Sequence, residues 1–192
     1  MFYITEINDY VRVAPENFGL QLKEAVIKEL EEVYQDYIDE EIGAVIKVID
    51  VISVREGVII PEDGAIYYDS TFRLLVFKPA LNEIVYGKIE QITNFGAFVN
   101  LGVIQALVHI SQTMEDQVSF SKTNSLLGKN TKKNLKKGDL CLARIVAISY
   151  KTIPPKIGLT MRQPGLGKLE WIEKEKKKVK KEKAKPKKES KE

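Results

Sequence analysis

Two phenylalanines, Phe95 and Phe98, are separated only by the small residues Gly96 and Ala97 in an apolar stretch of the chain. Small residues at such a position allow a strand to coil tightly, as the strands of a small barrel must. If Phe98 points outward from that strand, its ring offers a face on which a nucleic-acid base can stack, a contact worth about 1–3 kcal/mol. An isolated pair with this spacing more often lies in a core, so the surrounding sequence has to decide.

A group of lysines follows in the stretch 112–138, which we interpret as a long Ser- and Asn-rich loop. The group consists of Lys129, Lys132, Lys133, Lys136 and Lys137. Each lysine alone is most simply a solvated side chain, but together they could follow a phosphate backbone beside the aromatic pair. We select Lys129, Lys132 and Lys133 as candidate nucleic-acid contacts.

The remaining reactive residues form no catalytic or metal-binding pattern. The chain has one histidine, His109, and one cysteine, Cys141, and it lacks the CxxC, HExxH and GxSxG motifs. Cys141 lies in an apolar stretch, which favours a buried core position. The acidic pairs Glu62-Asp63 and Glu115-Asp116 are predicted to face solvent. We therefore expect no catalytic residue, no metal and no cofactor.

The charge of the chain is divided unevenly along its length. The net charge is +3, but the segment from Lys174 onward carries 11 lysines and 4 glutamates, which leaves a net charge of −4 on the rest. A mildly acidic body indicates that any contact with nucleic acid is local. The sequence shows no apolar run of membrane-spanning length and no signal peptide, so we expect a cytoplasmic protein without a membrane partner.

Residues 1–80 predict a small α+β domain with a helix lying on a sheet. Strands are predicted at 2–13, at 44–55 with a brief continuation to 61, and at 65–77. The turn Pro61-Glu62-Asp63-Gly64 joins the last two. A helix between 18 and 38 is predicted to bury the residues spaced three and four apart on one face. They are Leu22, Val26, Leu30, Val33, Tyr34 and Tyr37.

The second half of the chain predicts a five-stranded OB barrel over 81–165. Its strands are predicted at 84–92, 95–101, 104–109, 139–149 and 156–161. A C-terminal helix over 166–177 and a disordered, lysine-rich tail over 178–192 follow. Because the linker around Lys78-Pro79 is very short, we predict that the two domains form a rigid, elongated arrangement.

Within the barrel, residues 87–102 and 106–111 closely resemble the signature of S1 domains, which are OB barrels that bind RNA. The resemblance implies an RNA face made of three ring residues and a basic residue from the last strands. By position these are Phe95, Phe98, His109 and either Lys156 or Arg162. The match favours a surface position for Phe98 and leaves Phe95 open between surface and core. Where the family often has an aspartate, this sequence has Ser149-Tyr150.

The first 80 residues resemble a more specific family, the E-prime stalk proteins of archaeal RNA polymerase, which are the counterpart of the seventh eukaryotic subunit. The motifs that carry this resemblance are Met1-Phe2-Tyr3, Pro15…Phe18-Gly19, Glu56-Gly57…Pro61-Glu62-Asp63-Gly64 and Phe72…Val76-Phe77-Lys78-Pro79. The ending 158–173 is similar to archaeal members in particular. The family commonly has glycine where Glu62 stands, and the lysine-rich tail is an addition.

The resemblance implies a ribonucleoprotein-like N-terminal domain that docks on the clamp of the polymerase core. It also implies a heterodimer with F, the small helical stalk partner, and contact between the S1 domain and nascent single-stranded RNA. The docking tip would contain Gly43, Gly57, Pro61, Asp63 and Gly64. Ordinary turn chemistry accounts for these glycines equally well.

Two other functions remain open from the sequence. An S1 protein of translation or RNA decay would use the same barrel with a different partner for the first domain. An RNA-cleaving enzyme would need metal-dependent chemistry, for which the sequence shows no motif.

Overall fold

The computed structural model describes residues 1–121 and 124–183, the last six as backbone only. The chain divides into two compact units, the first over Met1–Pro79 and the second beginning at Ala80. No helix within the described ranges is both long and apolar enough to cross a membrane.

The first unit is a four-stranded antiparallel sheet with the order β1-β4-β3-β2. Its strands are β1 (Phe2–Val13), β2 (Ile38–Asp39), β3 (Gly43–Ile59) and β4 (Ile66–Phe77). The long strands β1 and β4 pair without interruption from Phe2 opposite Phe77 to Val13 opposite Ile66. The three predicted strands are confirmed, and the brief continuation after residue 55 is part of β3 itself.

Helix α1 (Leu22–Tyr34) packs on this sheet, as predicted, but it is shorter than the predicted span. It begins later because Pro15–Asn17 form a 3-10 turn, and it ends early because Asp36 takes a φ of 56°. The side chains that reach the core are Ala25, Val26 and Leu30, which pack with residues such as Phe72 and Leu74.

The predicted buried face of α1 is therefore partly wrong. Leu22, Val33 and Tyr37 are exposed, because they lie at or beyond the ends of the helix. Glu29 is buried instead, where its carboxylate accepts hydrogen bonds from the backbone N–H of Ala14 (2.8 Å) and the amide of Asn17 (2.7 Å). This contact joins the helix to the turn that precedes it.

The second unit is built on a closed five-stranded barrel with the order β12-β7-β6-β5-β11, in which β11 also pairs with β12. The five predicted barrel strands are confirmed within one residue at each end. They are β5 (Ile84–Ile92), β6 (Gly96–Asn100), β7 (Gln105–His109), β11 (Leu140–Ser149) and β12 (Lys156–Thr160). Strands β7 and β12 are parallel, and the other barrel pairs are antiparallel.

The barrel core contains the inward-facing side chains of these strands. Ile89, Val99, Val108 and Ile145 are completely buried. Cys141 is buried with them, as predicted; burial raises the pKa of its thiol to about 12, with the charge of Asp139 adding to the effect. A neutral thiol in this position is a packing residue.

The predicted loop at 112–138 contains a three-stranded sheet, so that prediction is wrong. Its strands are β8 (Val118–Ser121), β9 (Ser125–Gly128) and β10 (Asn134–Lys136), paired in the order β10-β9-β8. Leu126 of β9 and Leu135 of β10 are fully buried. The strands are too short for a period of two to be visible in the sequence, which is why the stretch resembles a loop.

The chain ends differently from the prediction. A short strand, β13 (Gly167–Lys168), pairs with β11, and α2 (Leu169–Lys183) begins after it. The predicted tail from 178 therefore starts inside a helix, because lysine and glutamate favour helix and no proline occurs before Pro186. The remainder of that predicted tail, 184–192, lies outside the described residues.

Candidate nucleic-acid interface

Strand β6 presents Phe98 on the outside of the barrel. Its neighbours Ala97 and Val99 are fully buried, and the alternation of a strand therefore turns Phe98 outward, where it is half-buried. On the adjacent strand β7, Leu107 lies directly opposite Phe98 and is also half-buried. The surface position predicted for Phe98 thus agrees with the direction of its side chain.

Phe95 lies beside Phe98 on the same surface. Its side chain is 46% exposed, and the two ring centroids are 5.9 Å apart with the rings nearly perpendicular. An edge-to-face contact of this kind holds both rings without burying either face completely. The sequence left Phe95 open between core and surface, and the structure places it at the surface.

Gly96 allows this arrangement. A Cβ atom at this position would lie 2.2 Å from the carbonyl oxygen of Val108 on the facing strand, closer than any real contact. Only glycine therefore allows β6 and β7 to approach at this point, which is where the chain passes from Phe95 to Phe98.

His109 lies across from Gly96 at the end of β7 and is exposed. Its Nδ1 is 2.8 Å from the hydroxyl of Ser111 and accepts a hydrogen bond from the backbone N–H of Ser111. The histidine thus caps the 3-10 turn Ile110–Gln112, and the backbone N–H of Ile110 donates to the carbonyl of Phe95 (2.9 Å). His109 has the structural hydrogen bond expected of a lone histidine and also lies next to the aromatic pair.

A groove of ≈ 770 Å³, here called the Phe98 groove, opens beside the outward face of β6 and β7. Phe98 and Leu107 line one side, and the loop 152–155 and Lys156 line the other. The loop contains a cis peptide bond between Ile153 and Pro154. The groove combines an apolar surface with one cation at its edge, which suits a base and its phosphate.

The two predicted basic partners occupy different places. Lys156 is exposed in the Phe98 groove. Arg162 follows β12, whose Thr160 hydroxyl donates to the side-chain oxygen of Gln112 (2.8 Å), so Arg162 lies near the turn that His109 begins. Of the two, only Lys156 lines a cavity with Phe98.

The three selected lysines of the 112–138 stretch do not join the aromatic pair. Lys129 is exposed at the end of β9, and Lys132 and Lys133 line a separate groove beside α2. Lys133 is already engaged, since its Nζ lies 2.9 Å from a carboxylate oxygen of Glu175 and 5.4 Å from the ring centroid of Trp171. The residue of that run that does line a cavity with Phe98 is Lys137.

The sequence also missed the role of Asp116, which was predicted to face solvent. Its carboxylate accepts five hydrogen bonds, from the backbone N–H groups of Gln117, Asn130 and Thr131 and from the side chains of the latter two. The hydrogen bond from the Thr131 backbone contributes most to lowering the pKa of Asp116 to about 2. Asp116 therefore holds the turn between β9 and β10 in place.

In the first unit, the connection between β3 and β4 has the predicted turn, with Gly64 at a φ of 70°. Asp63 does not simply face solvent. It accepts two hydrogen bonds from the guanidinium of Arg12 (2.9 and 2.6 Å) and one from the hydroxyl of Tyr67 (2.6 Å). The bond from Arg12 contributes most to lowering the pKa of Asp63 to about 2, and the bond to Asp63 raises the pKa of Tyr67.

The predicted docking tip is only partly assembled. Gly57, Pro61, Asp63 and Gly64 lie at or near the β3–β4 turn, which we call the hairpin end. Gly43 begins β3, where it faces Phe77 and Lys78, and the 17 residues of that strand separate it from the hairpin end. Because β3 contains bulges, its length is better taken from β4, whose residues Ile66–Phe77 pair along it. At about 3.3 Å per residue this length is about 36 Å, so Gly43 does not belong to the same surface.

Comparisons with known proteins agree with both units. The family model described as "SHS2 domain found in N terminus of Rpb7p/Rpc25p/MJ0397" matches residues 8–64, and the model described as "S1 RNA binding domain" matches residues 78–152. The DNA-directed RNA polymerase subunit Rpo7 of Sulfolobus acidocaldarius is 40% identical over 177 residues, which cover 91% of this chain and 97% of that protein.

Two further relatives show the same relationship. Subunit Rpo7 of Saccharolobus solfataricus is 37% identical over 180 residues, covering 92% of this chain and 100% of that protein. The DNA-directed RNA polymerase III subunit RPC8 of Saccharomyces cerevisiae is 37% identical over 114 residues, covering 59% of this chain and 54% of that protein.

Proposed function

This chain belongs to the Rpo7 family of archaeal DNA-directed RNA polymerase subunits, and from that premise we propose that it is the polymerase's non-catalytic stalk subunit. In this role it docks on the clamp through its first unit, pairs with the helical stalk partner F, and contacts emerging single-stranded RNA with its barrel. It acts in the cytoplasm and contributes no catalytic residue, metal or cofactor of its own.

The hairpin end supports docking on a protein surface. Val58, Ile59 and Ile60 are consecutive, apolar and exposed, with Ile59 at 68%, and they lead directly into Pro61. A contiguous group of exposed apolar side chains is unusual for a surface in water and is typical of an interaction site. The bonds among Arg12, Asp63 and Tyr67 hold the adjacent turn in one conformation, which reduces the entropy lost on docking.

A second apolar strip on the first unit supports pairing with another protein. Strand β3 shows a register shift against β4 at each of Ile46, Ile49 and Ile52, so that each isoleucine is an extra, unpaired residue. All three are exposed. β-Bulges that recur every three residues bring these side chains out along the strand, and a helical partner could cover them.

The observation that carries the RNA contact is the position of Phe98. Its ring lies half-exposed in a groove of ≈ 770 Å³, in edge contact with Phe95 and with Lys156 at the rim. A base stacked on this ring would place its phosphate within reach of a cation, which is how sequence-tolerant single-strand binding is built. In a transcribing complex, RNA carrying 4-thiouridine should crosslink to the second unit, and Phe98→Ala should reduce the yield of this crosslink.

Assembly tests the polymerase role. The chain, co-expressed with the small helical partner and mixed with polymerase core, should co-elute with both on size exclusion. Ile59→Lys should abolish association with the polymerase core but leave binding of the helical partner unchanged. Ile49→Lys should weaken binding of the helical partner. Val33→Lys, which adds the same charge at an exposed site of α1, is the control and should change neither.

The alternative, an S1 protein of translation or RNA decay, predicts a different result. The wild-type chain would then co-sediment with ribosomes or a nuclease and would not associate with the polymerase core. That outcome would overturn the proposed function.

A further inference from the structure

The second unit contains a basic groove of ≈ 610 Å³ between the sheet β8–β10 and helix α2, here called the lysine groove. Lysines of the β9–β10 turn and β10 line one wall, and lysines of β13 and α2 line the other. They are Lys132, Lys133, Lys136, Lys168, Lys174 and Lys177. Among the described residues, none lines both this groove and the Phe98 groove, so the two are separate surfaces.

The acidic side chains of the lysine groove are already paired. Glu175 lies 2.9 Å from Lys133, and Glu170 lies 3.0 Å from Lys168, which also pairs with Asp139. Four exposed lysines remain, and within the described part of the chain no carboxylate forms an ion pair with any of them. These are Lys132, Lys136, Lys174 and Lys177. The groove therefore has a net positive charge available to a ligand.

The turn that carries Lys132 is held in a conformation that its own sequence does not favour. Lys132 has a φ of 53°, which is uncommon for any residue other than glycine. The hydrogen bonds from Asn130 and Thr131 to Asp116, together with the bond from the N–H of Lys132 to the carbonyl of Gly128 (3.1 Å), hold it there. Strain of this kind persists only where surrounding contacts over-determine it, and it often marks a binding surface.

Trp171 and Lys133 join the two walls of the groove. Lys133, from the sheet side, places its ammonium over the half-buried indole of Trp171 and against Glu175, both on α2. A cation held between a ring and a carboxylate fixes the spacing of the walls before any ligand arrives. The groove is thus preformed, and the remaining lysines do not have to be brought together on binding.

We infer that the lysine groove binds the phosphodiester backbone of the same RNA strand whose bases contact the barrel. The inference rests on the proposed function, to which it adds a second contact. Lys132, Lys136, Lys174 and Lys177 act as point charges for phosphates, without reading the bases. The barrel face thereby supplies stacking, and the lysine groove supplies the salt-dependent part of the affinity.

The test removes one lysine from each wall. The double variant Lys136→Gln, Lys174→Gln is compared with the wild-type 192-residue chain by fluorescence anisotropy of a labelled oligouridylate at several salt concentrations. Each phosphate contact on a single strand contributes about 0.7 to the slope of log affinity against log salt, so the slope should fall by about 1.4. At about 0.1 M salt this loss corresponds to about 25-fold weaker binding.

The matched control is Lys23→Gln, Lys47→Gln, which makes the same charge change on exposed lysines of the first unit and should leave the slope unchanged. An equal loss in both double variants, or no loss in either, would overturn the lysine groove as a specific contact. With oligodeoxythymidylate as the ligand, the double lysine variant should show the same decrease in slope, because DNA and RNA have the same phosphodiester groups. If poly-glutamate binding depends on Lys136 and Lys174 while RNA binding does not, the groove takes an acidic protein and the inference is wrong.

Failure of this inference can be distinguished from failure of the proposed function. Phe98→Ala removes a stacking surface without removing a charge, so it should weaken RNA binding at every salt concentration with an unchanged slope. If Phe98→Ala weakens RNA binding and the double lysine variant does not, the wild-type chain contacts RNA through the barrel but not through the lysine groove.

Discussion

The hairpin end of the first unit and the aromatic face of the barrel are both small surface sites, but different interactions hold them in place. At the hairpin end, Asp63 lies between the Arg12 guanidinium and the Tyr67 hydroxyl, so charge fixes the turn. At the aromatic face, β6 approaches β7 closely at Gly96, so steric fit holds the two rings in place. A site held by exposed charge responds to pH and to salt, whereas a site held by packing responds to neither.

The largest expected effect is on the packed site. Gly96→Ala would place a Cβ 2.2 Å from the Val108 carbonyl, so β6 and β7 must separate. We expect the barrel to lose on the order of 3 kcal/mol of unfolding free energy, measured by urea denaturation. Gly158→Ala is the control, since its Cβ would meet only atoms of Ala147, the nearest at 3.4 Å, an ordinary contact. Equal stability of the two variants would show that packing at Gly96 does not fix the face.

The charged site should depend on pH. The pKa of Asp63 is lowered to about 2 in the folded chain by its bond with Arg12, against about 3.9 for an unperturbed aspartate. Because the folded pKa is the lower one, Asp63 stabilises the first unit above about pH 4, and this contribution is lost as the pH falls toward 2. The urea midpoint of the first unit should fall over this window in the wild type.

In Asp63→Asn, the same window should show a weaker pH dependence, because the titrating group is gone. Asp36→Asn serves as the control, since Asp36 is an exposed carboxylate to which the described residues offer no ion pair. A wild-type profile retained in Asp63→Asn would mean that charge does not hold the hairpin end.

The smallest effect is a difference between two aspartates in their response to salt. Asp63 and Asp116 both have a pKa lowered to about 2, but Asp63 owes this chiefly to the Arg12 cation and Asp116 chiefly to a backbone N–H group of the β9–β10 turn, that of Thr131. About 1 M salt screens an exposed ion pair far more than it disturbs hydrogen bonds to the backbone. NMR titration should show the pKa of Asp63 rising by less than about one unit, with that of Asp116 almost unchanged. A larger rise for Asp116 would contradict the assignment of causes.

Much of the barrel can be predicted from the sequence because its determinants are local. The period of two in β5 to β7 and the turn residues between them define these strands within one residue. The outward direction of Phe98 follows from the same alternation, since Ala97 and Val99 are the residues that face inward.

What the sequence could not reveal depends on contacts between residues distant along the chain. The small sheet at 118–136 requires Asp116 to bind Asn130 and Thr131, 14 and 15 residues away. The contacts of Lys133 with Glu175 and Trp171 of α2 are likewise between residues distant along the chain, since Lys133 and Glu175 are separated by 42 residues. Gly43 is placed in the docking tip only by the family resemblance, whereas in the structure it begins β3, at the end of that strand far from the hairpin end.

The most direct test of the RNA contact is the affinity of the purified chain for a labelled oligouridylate, with Phe98→Ala compared against Phe120→Ala. Phe120 is an exposed phenylalanine of β8 in the same unit and does not line the Phe98 groove. Loss of a stacked base worth about 1–3 kcal/mol predicts that Phe98→Ala binds about 5- to 150-fold more weakly, with Phe120→Ala unchanged. Wild-type affinity in Phe98→Ala across all salt concentrations would contradict an RNA contact at the barrel face.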